Sequence, residues 1–286
     1  MPDDLLNLAK IETGLECFKL MMDVVKNATK TPTTYNPEVW MGEGNAAGHG
    51  GRPGITNTLE NSFWYAHALG TAADLGLGRF LRQTFVGGGY ELVNRTTFDP
   101  NPDYYVALLW QRLMGTKTLH ATLGAAESNV RIHAMCARVG SSTGAATAAA
   151  TTTTATATGY TAAAGDVVVL AINFDQTATI TVDVQGFRSS ARVHSTTAAS
   201  SGVGARYTWA VRATDPVSAP QGRTTDIALM AANGTWTPLK LTSEGDSVAL
   251  PRMPPVEITN NPLSLPVQPL SYSFSLLAGA KAPACL

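Results

Sequence analysis

Charge is scarce in this chain. Of its 286 residues only 14% are Asp, Glu, Lys or Arg, 21 acidic against 20 basic, which leaves a formal net charge of −1. So balanced a composition carries no bulk field to hold the protein on nucleic acid. At 44% hydrophobic it is equally far from a disordered acidic or basic polymer. Cysteine is scarcer still: Cys17, Cys136 and Cys285 are too few for a small disulfide scaffold, and none stands near a second Cys at metal-ligand spacing. The five histidines, at 49, 67, 120, 133 and 194, lie far apart in sequence, which argues against metal catalysis. Neither a metal nor a cofactor is expected. No apolar run reaches the roughly 18 residues of a membrane span. Met1 to Asp4 lacks the basic and apolar parts of a secretion signal. The length suits one large domain or two ordinary ones.

What is present divides into two styles. Residues 4–29 place Leu8, Ile11, Leu15, Phe18, Met22 and Val25 on one face of a helix. Glu38 to Met41 reads as a short buried strand, stopping at Gly42-Glu43 before a glycine-rich loop over 44–54. A second helix is expected over 56–75, with Thr56 or Thr58 as its cap. A second strand follows over 79–86, then Gly87-Gly88-Gly89-Tyr90, then a helix over 103–114 opened by Pro100 and Pro102. Helices alternating with strands predict a parallel sheet. Both glycine loops follow strand ends, where barrel enzymes keep their chemistry. From Thr118 onward the pattern is mostly strands: 130–135, 166–173 paired with 178–184 around Asp175-Gln176, 206–212, 226–231, 247–250 and 270–277. Such spacing predicts an all-β sandwich. Between two of these strands, Ala and Thr fill 19 of the 24 positions from Ser141 to Ala164, a low-complexity insert expected to be a disordered loop.

Among individual residues Glu43 stands out. A carboxylate ending an apolar strand and facing a glycine loop is costly unless it is well bonded or does something. The plain alternative is an ordinary loop glutamate. Gly140-Ser141-Ser142-Thr143-Gly144 matches the serine nucleophile elbow only formally, since no strand-to-helix turn surrounds it. Gly48-His49-Gly50-Gly51 is similar to an oxyanion loop without a serine to serve. Gly42, Gly44 and Gly48 miss the dinucleotide fingerprint by one residue. Asn27-Ala28-Thr29, Asn94-Arg95-Thr96 and Asn233-Gly234-Thr235 are glycosylation sequons, meaningful only in a secreted glycoprotein.

Three stretches together resemble the heparanase family of retaining endo-β-glucuronidases: Val39-Trp40-Met41-Gly42-Glu43, residues 82–93 (RQTFVGGGYELV) and residues 98–105 (FDPNPDYY). The likeness continues through 113–117, returns at 166–173 and 271–274, and reaches Ala284-Cys285-Leu286. It is poor in the insert and over 186–225. The resemblance implies a (β/α)8 barrel over 1–117, of which this is the C-terminal portion with the last two strands, and a β-sandwich over 118–286. It implies that Glu43 is the catalytic nucleophile at the end of the seventh barrel strand. It places Gln83, Gly88, Gly89 and Tyr90 in a loop that contacts the uronic acid, where backbone N–H groups suit a carboxylate. It also implies a Cys136–Cys285 disulfide, with Cys17 left over, and a secreted, extracellular or lysosomal location. The implied partner is a glycan containing glucuronic acid.

One departure is large. A retaining glycosidase needs two carboxyl groups about 5 Å apart. The family's acid/base is a Glu directly after an Asn, and this sequence contains no Asn-Glu dipeptide. The resemblance places residue 1 in the helix before the seventh barrel strand, so the acid/base and six strands are expected elsewhere, in a longer gene product or a separate chain. The chain alone is expected to be inactive, with apolar faces left bare. A non-catalytic carbohydrate-binding or degenerate protein is the competing expectation. Clustered Lys and Arg, which a heavily sulfated glycan would want, are not found in these residues, where Arg79 and Arg82 are the nearest approach; heparan sulfate, met by basic segments elsewhere in the barrel, and a less sulfated glucuronic-acid glycan are equal expectations.

Overall fold

A computed structural model describes residues 5–28, 37–124, 129–141, 160–186, 203–219, 221–244 and 247–286. The first part runs α1 (Leu8–Ala28), β1 (Trp40–Gly44), α2 (Leu59–Leu75), β2 (Arg79–Arg82) and α3 (Pro102–Leu113). The strand-rich part runs β3 (Met114–Leu119), β4 (Val130–Ala137), β5 (Val167–Asn173), β6 (Ile180–Asp183), β7 (Ala205–Ala213), β8 (Ile227–Met230) and β9 (Trp236–Pro238). It continues with β10 (Thr242–Glu244), β11 (Ser247–Ala249), β12 (Val256–Ile258), β13 (Ser264–Val267) and β14 (Ser271–Ala278), and ends in a 3₁₀ turn at Pro283–Cys285.

The centre is an eight-stranded antiparallel sheet ordered β3-β4-β5-β14-β7-β8-β9, with β12 also pairing β7. β5 (VVVLAIN) and β14 (SYSFSLLA) are buried at every position because both faces of the sheet are covered. One face carries Val168, Leu170, Ile172, Trp209, Tyr272 and Phe274, and packs under α2 and α3. The other carries Val167, Val169, Ala171 and Leu277, and meets the two-stranded β13–β6 pair through Leu265, Val267 and Val182. Period-two alternation along β14 sends Tyr272, Phe274 and Leu276 one way and Leu277 the other.

α2 is the element that binds the two parts together. Its residues are buried on every side rather than on one face, the polar Glu60, Asn61, Ser62 and His67 included. Its N-cap is Thr58, whose hydroxyl donates back to the Ile55 carbonyl at 2.7 Å and so leaves the helix amides uncapped. Those orphan amides are satisfied from the distant chain instead: Leu59 N–H donates to the Thr224 carbonyl and Glu60 N–H to that of Gly222, each at 2.9 Å. The buried Glu60 carboxylate pairs with Arg223 at 2.7 Å. β3 begins at Met114 with no linker after α3, ahead of the division expected at 117/118, so helices and sheet share one core.

Several expectations need correction. The strand expected as buried over 38–41 is Trp40–Gly44, is largely exposed, and contains Glu43 rather than ending before it. The strand expected over 79–86 ends at Arg82. The hairpin expected from 166–173 and 178–184 does not form: β5 pairs with β4 and β14, whereas β6 crosses to pair with β13 in the second layer. Most of the Ala/Thr-rich insert, 142–159, lies outside the described residues, and so does the Ser142 of the elbow-like motif. Its last five residues belong to the fold. The Tyr160 hydroxyl donates to Asp166 at 2.7 Å, its ring stacks on Tyr207 at 5.3 Å, and Ala162 is buried.

Cys136 and Cys285 are joined by a disulfide with Cα atoms 5.3 Å apart, tying β4 to the C-terminal turn. Cys17 is free and exposed. Among the described residues no helix is long and apolar enough to cross a membrane, and no group of His, Cys, Asp and Glu is placed to hold a metal ion.

Candidate active site

β1 and β2 form a parallel pair and, among the described residues, pair only with each other. Their register runs Trp40↔Arg79, Met41↔Phe80 and Gly44↔Arg82. β1 therefore advances three residues while β2 advances two, and the bulge holds Gly42 and Glu43. Met41 and Phe80 pack toward the helices, Phe80 lying edge-on to Phe18 with ring centroids 6.0 Å apart. Alternation puts Trp40 and Leu81 on the opposite face, where they are 53% and 47% exposed. Parallel sheets are ordinarily covered on both faces, so this bare face is unusual. Arg79 lies over Trp40, 5.7 Å from the ring centroid.

Glu43 is exposed, and its carboxylate makes no hydrogen bond or ion pair among the described residues. It stands one residue before Gly44, at the carboxyl end of β1. The chain beyond β1 and the chain beyond β2 leave from the same edge and pack on each other. Gly51 and Gly89 form a parallel bridge, and the Gly89 N–H donates to the Gly50 carbonyl at 2.5 Å. The closeness demands glycine: a Cβ on Gly89 would lie 2.6 Å from the Pro53 ring, and one on Gly51 2.5 Å from Tyr90. Thr56 fastens the contact by donating its hydroxyl to the Gly89 carbonyl at 2.5 Å.

Of the four residues expected to meet a uronic acid, the backbone of Gln83 is fully engaged. Its N–H donates to Gly44 at 3.1 Å and its carbonyl accepts from Asn45 and Arg82. The Tyr90 ring is buried under the two glycine loops. The amides of Gly87 and Gly89 are consumed internally, the former by Glu91 at 2.6 Å. Among the described residues Gly88, at φ +81°, is the glycine of this loop whose N–H has no partner. Of the three glycine amides expected to meet an anion, only that of Gly88 is thus left over. A cleft of about 570 Å³ lies elsewhere, between α2, β2 and α3, and includes neither Glu43 nor this loop.

Beneath the loop is a buried polar cluster that sequence reasoning missed. Arg82 Nη2 lies 2.5 Å from Asp103 Oδ2, with side chains 5% and 2% exposed. Asp103 also accepts from Asn61 Nδ2 at 2.7 Å and Ser62 Oγ at 2.8 Å. The guanidinium sits over the Tyr65 ring, 5.0 Å from its centroid. Burial pushes the Tyr65 phenol up, so that ring stays neutral. Arg82 is therefore unavailable to a sulfate. The signal was the charged end of the otherwise apolar Phe80-Leu81-Arg82, matched by an acid in the first turn of the next helix. A second missed cluster joins His67 of α2 to His133 of β4 on the far side of α2.

No protein-family model matches the chain. Over 123 residues it is 43% identical to baicalin-β-D-glucuronidase of Scutellaria baicalensis, 43% of this chain and 23% of that protein. Over 136 residues it is 35% identical to heparanase-like protein 3 of Arabidopsis thaliana, covering 48% and 24% respectively. The matched segment thus spans about a quarter of the length of these relatives. Among solved structures, a 4-O-α-L-rhamnosyl-β-D-glucuronidase from Fusarium oxysporum superposes with a TM-score of 0.52 at 13% identity, over 96% of this chain and 50% of that one. The chain is similar to heparanase-like proteins in sequence and shares its backbone architecture with half of a glycoside hydrolase.

Proposed function

We propose that this chain carries the nucleophile side of a retaining β-glucuronidase. In this reading β1 and β2 are the closing strands of a (β/α)8 barrel, and the antiparallel sheet with β13–β6 is its accompanying sandwich. The carrying observation is the 43% identity to a β-glucuronidase, joined to an exposed Glu43 at the carboxyl end of a parallel strand. The bare face with Trp40 and Leu81 supports it, because a closed barrel would fill that face with side chains from its other strands.

Glu43 attacks the anomeric carbon and forms a glycosyl-enzyme. A second carboxyl group protonates the leaving oxygen, then activates water for the return step. That group would come from barrel strands outside these 286 residues, in the same product or in another chain. The Gly88 N–H faces the sugar carboxylate. Arg82, being buried, makes no contact with the glycan, and sulfate recognition falls to exposed residues such as Arg79 or to the rest of the barrel. The Cys136–Cys285 bond favours an oxidising compartment, secreted or lysosomal. The second reading is a site that binds a uronate without chemistry; an exposed Glu43 with no hydrogen-bonded partner among the described residues fits it as well.

The test is a chimera that places the upstream barrel residues of the Scutellaria relative before this chain. It should hydrolyse an aryl β-glucuronide with retained anomeric configuration, observed by proton NMR, while the isolated chain does not. An inverted product, or full turnover by Glu43→Gln, overturns the reading. A silent chimera that still binds glucuronate favours the second one.

A further inference from the structure

Arg82 occupies an odd place for a cation: the last residue of a strand, buried, over an aromatic ring. Its hydrogen bonds explain it. Nη1 donates to the Gln83 carbonyl, and Nη2 donates to the Tyr90 carbonyl at 3.0 Å and to Asp103. Gln83 and Tyr90 are the two ends of the glycine loop, so one planar guanidinium gathers both onto one buried point. Asp103 holds that point, and Asn61 and Ser62 of α2 hold Asp103. The Gln83 carbonyl accepts in addition from Asn45 Nδ2, two residues beyond Glu43. A continuous set of bonds therefore runs from the chain just past Glu43, through Gln83 and Arg82, to Tyr90.

We propose that Arg82 is the positioning residue of this site. It sets loop 83–90 against the strand that carries Glu43, and so fixes where the free Gly88 amide stands. Its role in a glucuronide site rests on the reading above; the coupling of the two loops does not. Lysine cannot replace it, because an ammonium lacks the fork that reaches two carbonyls and a carboxylate at once. Loss of the fork frees both loops together, since Gln83 is common to both, while the antiparallel sheet on the other side of α2 is untouched.

The full chain is compared with Arg82→Lys and with Arg82→Met/Asp103→Asn, the second leaving no unpaired buried charge. Amide hydrogen exchange is followed in residues 44–51 and 83–91, with β5 and β14 as the internal reference. In parallel, the Gly88 amide is titrated with D-glucuronate and with D-glucose by NMR. In both variants exchange should rise at least tenfold in both loop segments and stay level in the reference strands. The glucuronate-dependent shift of Gly88 in the native chain should weaken at least tenfold. Unchanged exchange in folded variants, a rise in only one loop, or a uniform rise across loops and sheet overturns the positioning role. A native chain whose Gly88 ignores glucuronate overturns the uronate reading instead, and the exchange result still decides whether Arg82 couples the loops.

Discussion

His67 Nδ1 and His133 Nε2 lie 2.9 Å apart in the core, between two carboxylates. Asp74 Oδ2 is 2.7 Å from His133 Nδ1, and Glu12 Oε1 is 3.2 Å from His67 Nε2 and 2.6 Å from Arg131 Nε. The row spans α1, α2 and β4. Its three contacts need three N–H hydrogens, whereas two neutral imidazoles bring two. The row is complete with one added proton and has no place for another.

The consequence is acid sensitivity. Burial pushes the His67 imidazole down from its ordinary 6.5, more than its bond to Glu12 raises it. The unfolded chain then binds the more protons as pH falls through about 6.5, so stability is lost from there downward. Glu12 is held down to about 2, chiefly by the bond from His67 and then by Arg131, against the opposing effect of burial. Its contribution is present above 4.5 and lost between 4.5 and about 2. Melting temperature should fall from pH 7 to pH 5 and further toward pH 3. His67→Gln should flatten the upper part of that fall. A native chain that melts higher at pH 5 than at pH 7 contradicts the account.

Gly70 makes room for the same pair. It lies inside α2, where alanine normally stabilises by about 1 kcal/mol over glycine. Here a Cβ would sit 2.1 Å from the His133 ring. Gly70→Ala is therefore expected to destabilise by roughly 1–3 kcal/mol, as overpacking does. Chemical denaturation measures it, and a stabilised variant would show that the histidine row yields easily.

The Cys136–Cys285 bond closes a loop with a sequence separation of 149. In the chain-entropy model that is worth roughly 5 kcal/mol. At about 2–4 °C per kcal/mol for a protein of this size, reduction or Cys285→Ser should lower the melting temperature by roughly 10–20 °C. A shift of a degree or two would mean that β4 and the C-terminal turn hold without it.

The helices were legible because their signal is local. Leu8, Ile11, Leu15 and Phe18 recur at helical spacing and are the buried residues of α1. Pro102 opens α3 as its first residue. The β5–β6 hairpin misled for the same reason. The turn at Asp175 is real, its Oδ1 accepting from the amides of Thr177 and Ala178 at 2.8 Å. A turn fixes where a strand starts, not which strand it joins, and β5 finds β14 about a hundred residues on. Composition marks Tyr160 as part of a disordered Ala/Thr tract, although one large aromatic in such a tract is the residue able to bury surface. In the candidate site, the place of Glu43 and of the glycine loops at the strand ends could be read from residue type. For Arg82 with Asp103 the trace was faint, a charge ending an apolar strand and an acid opening the next helix; His67 with His133 left none, because the two are distant in sequence and meet only through the packing of α2 on β4.

The most direct measurement is covalent trapping at the proposed nucleophile, Glu43. A mechanism-based inhibitor of retaining β-glucuronidases is incubated with the chimera that restores the upstream barrel residues, and the modified peptide is mapped by mass spectrometry. The account predicts one label per chain, on Glu43, and none in Glu43→Gln. A label on any other residue of this chain, or undiminished labelling of Glu43→Gln, would contradict it.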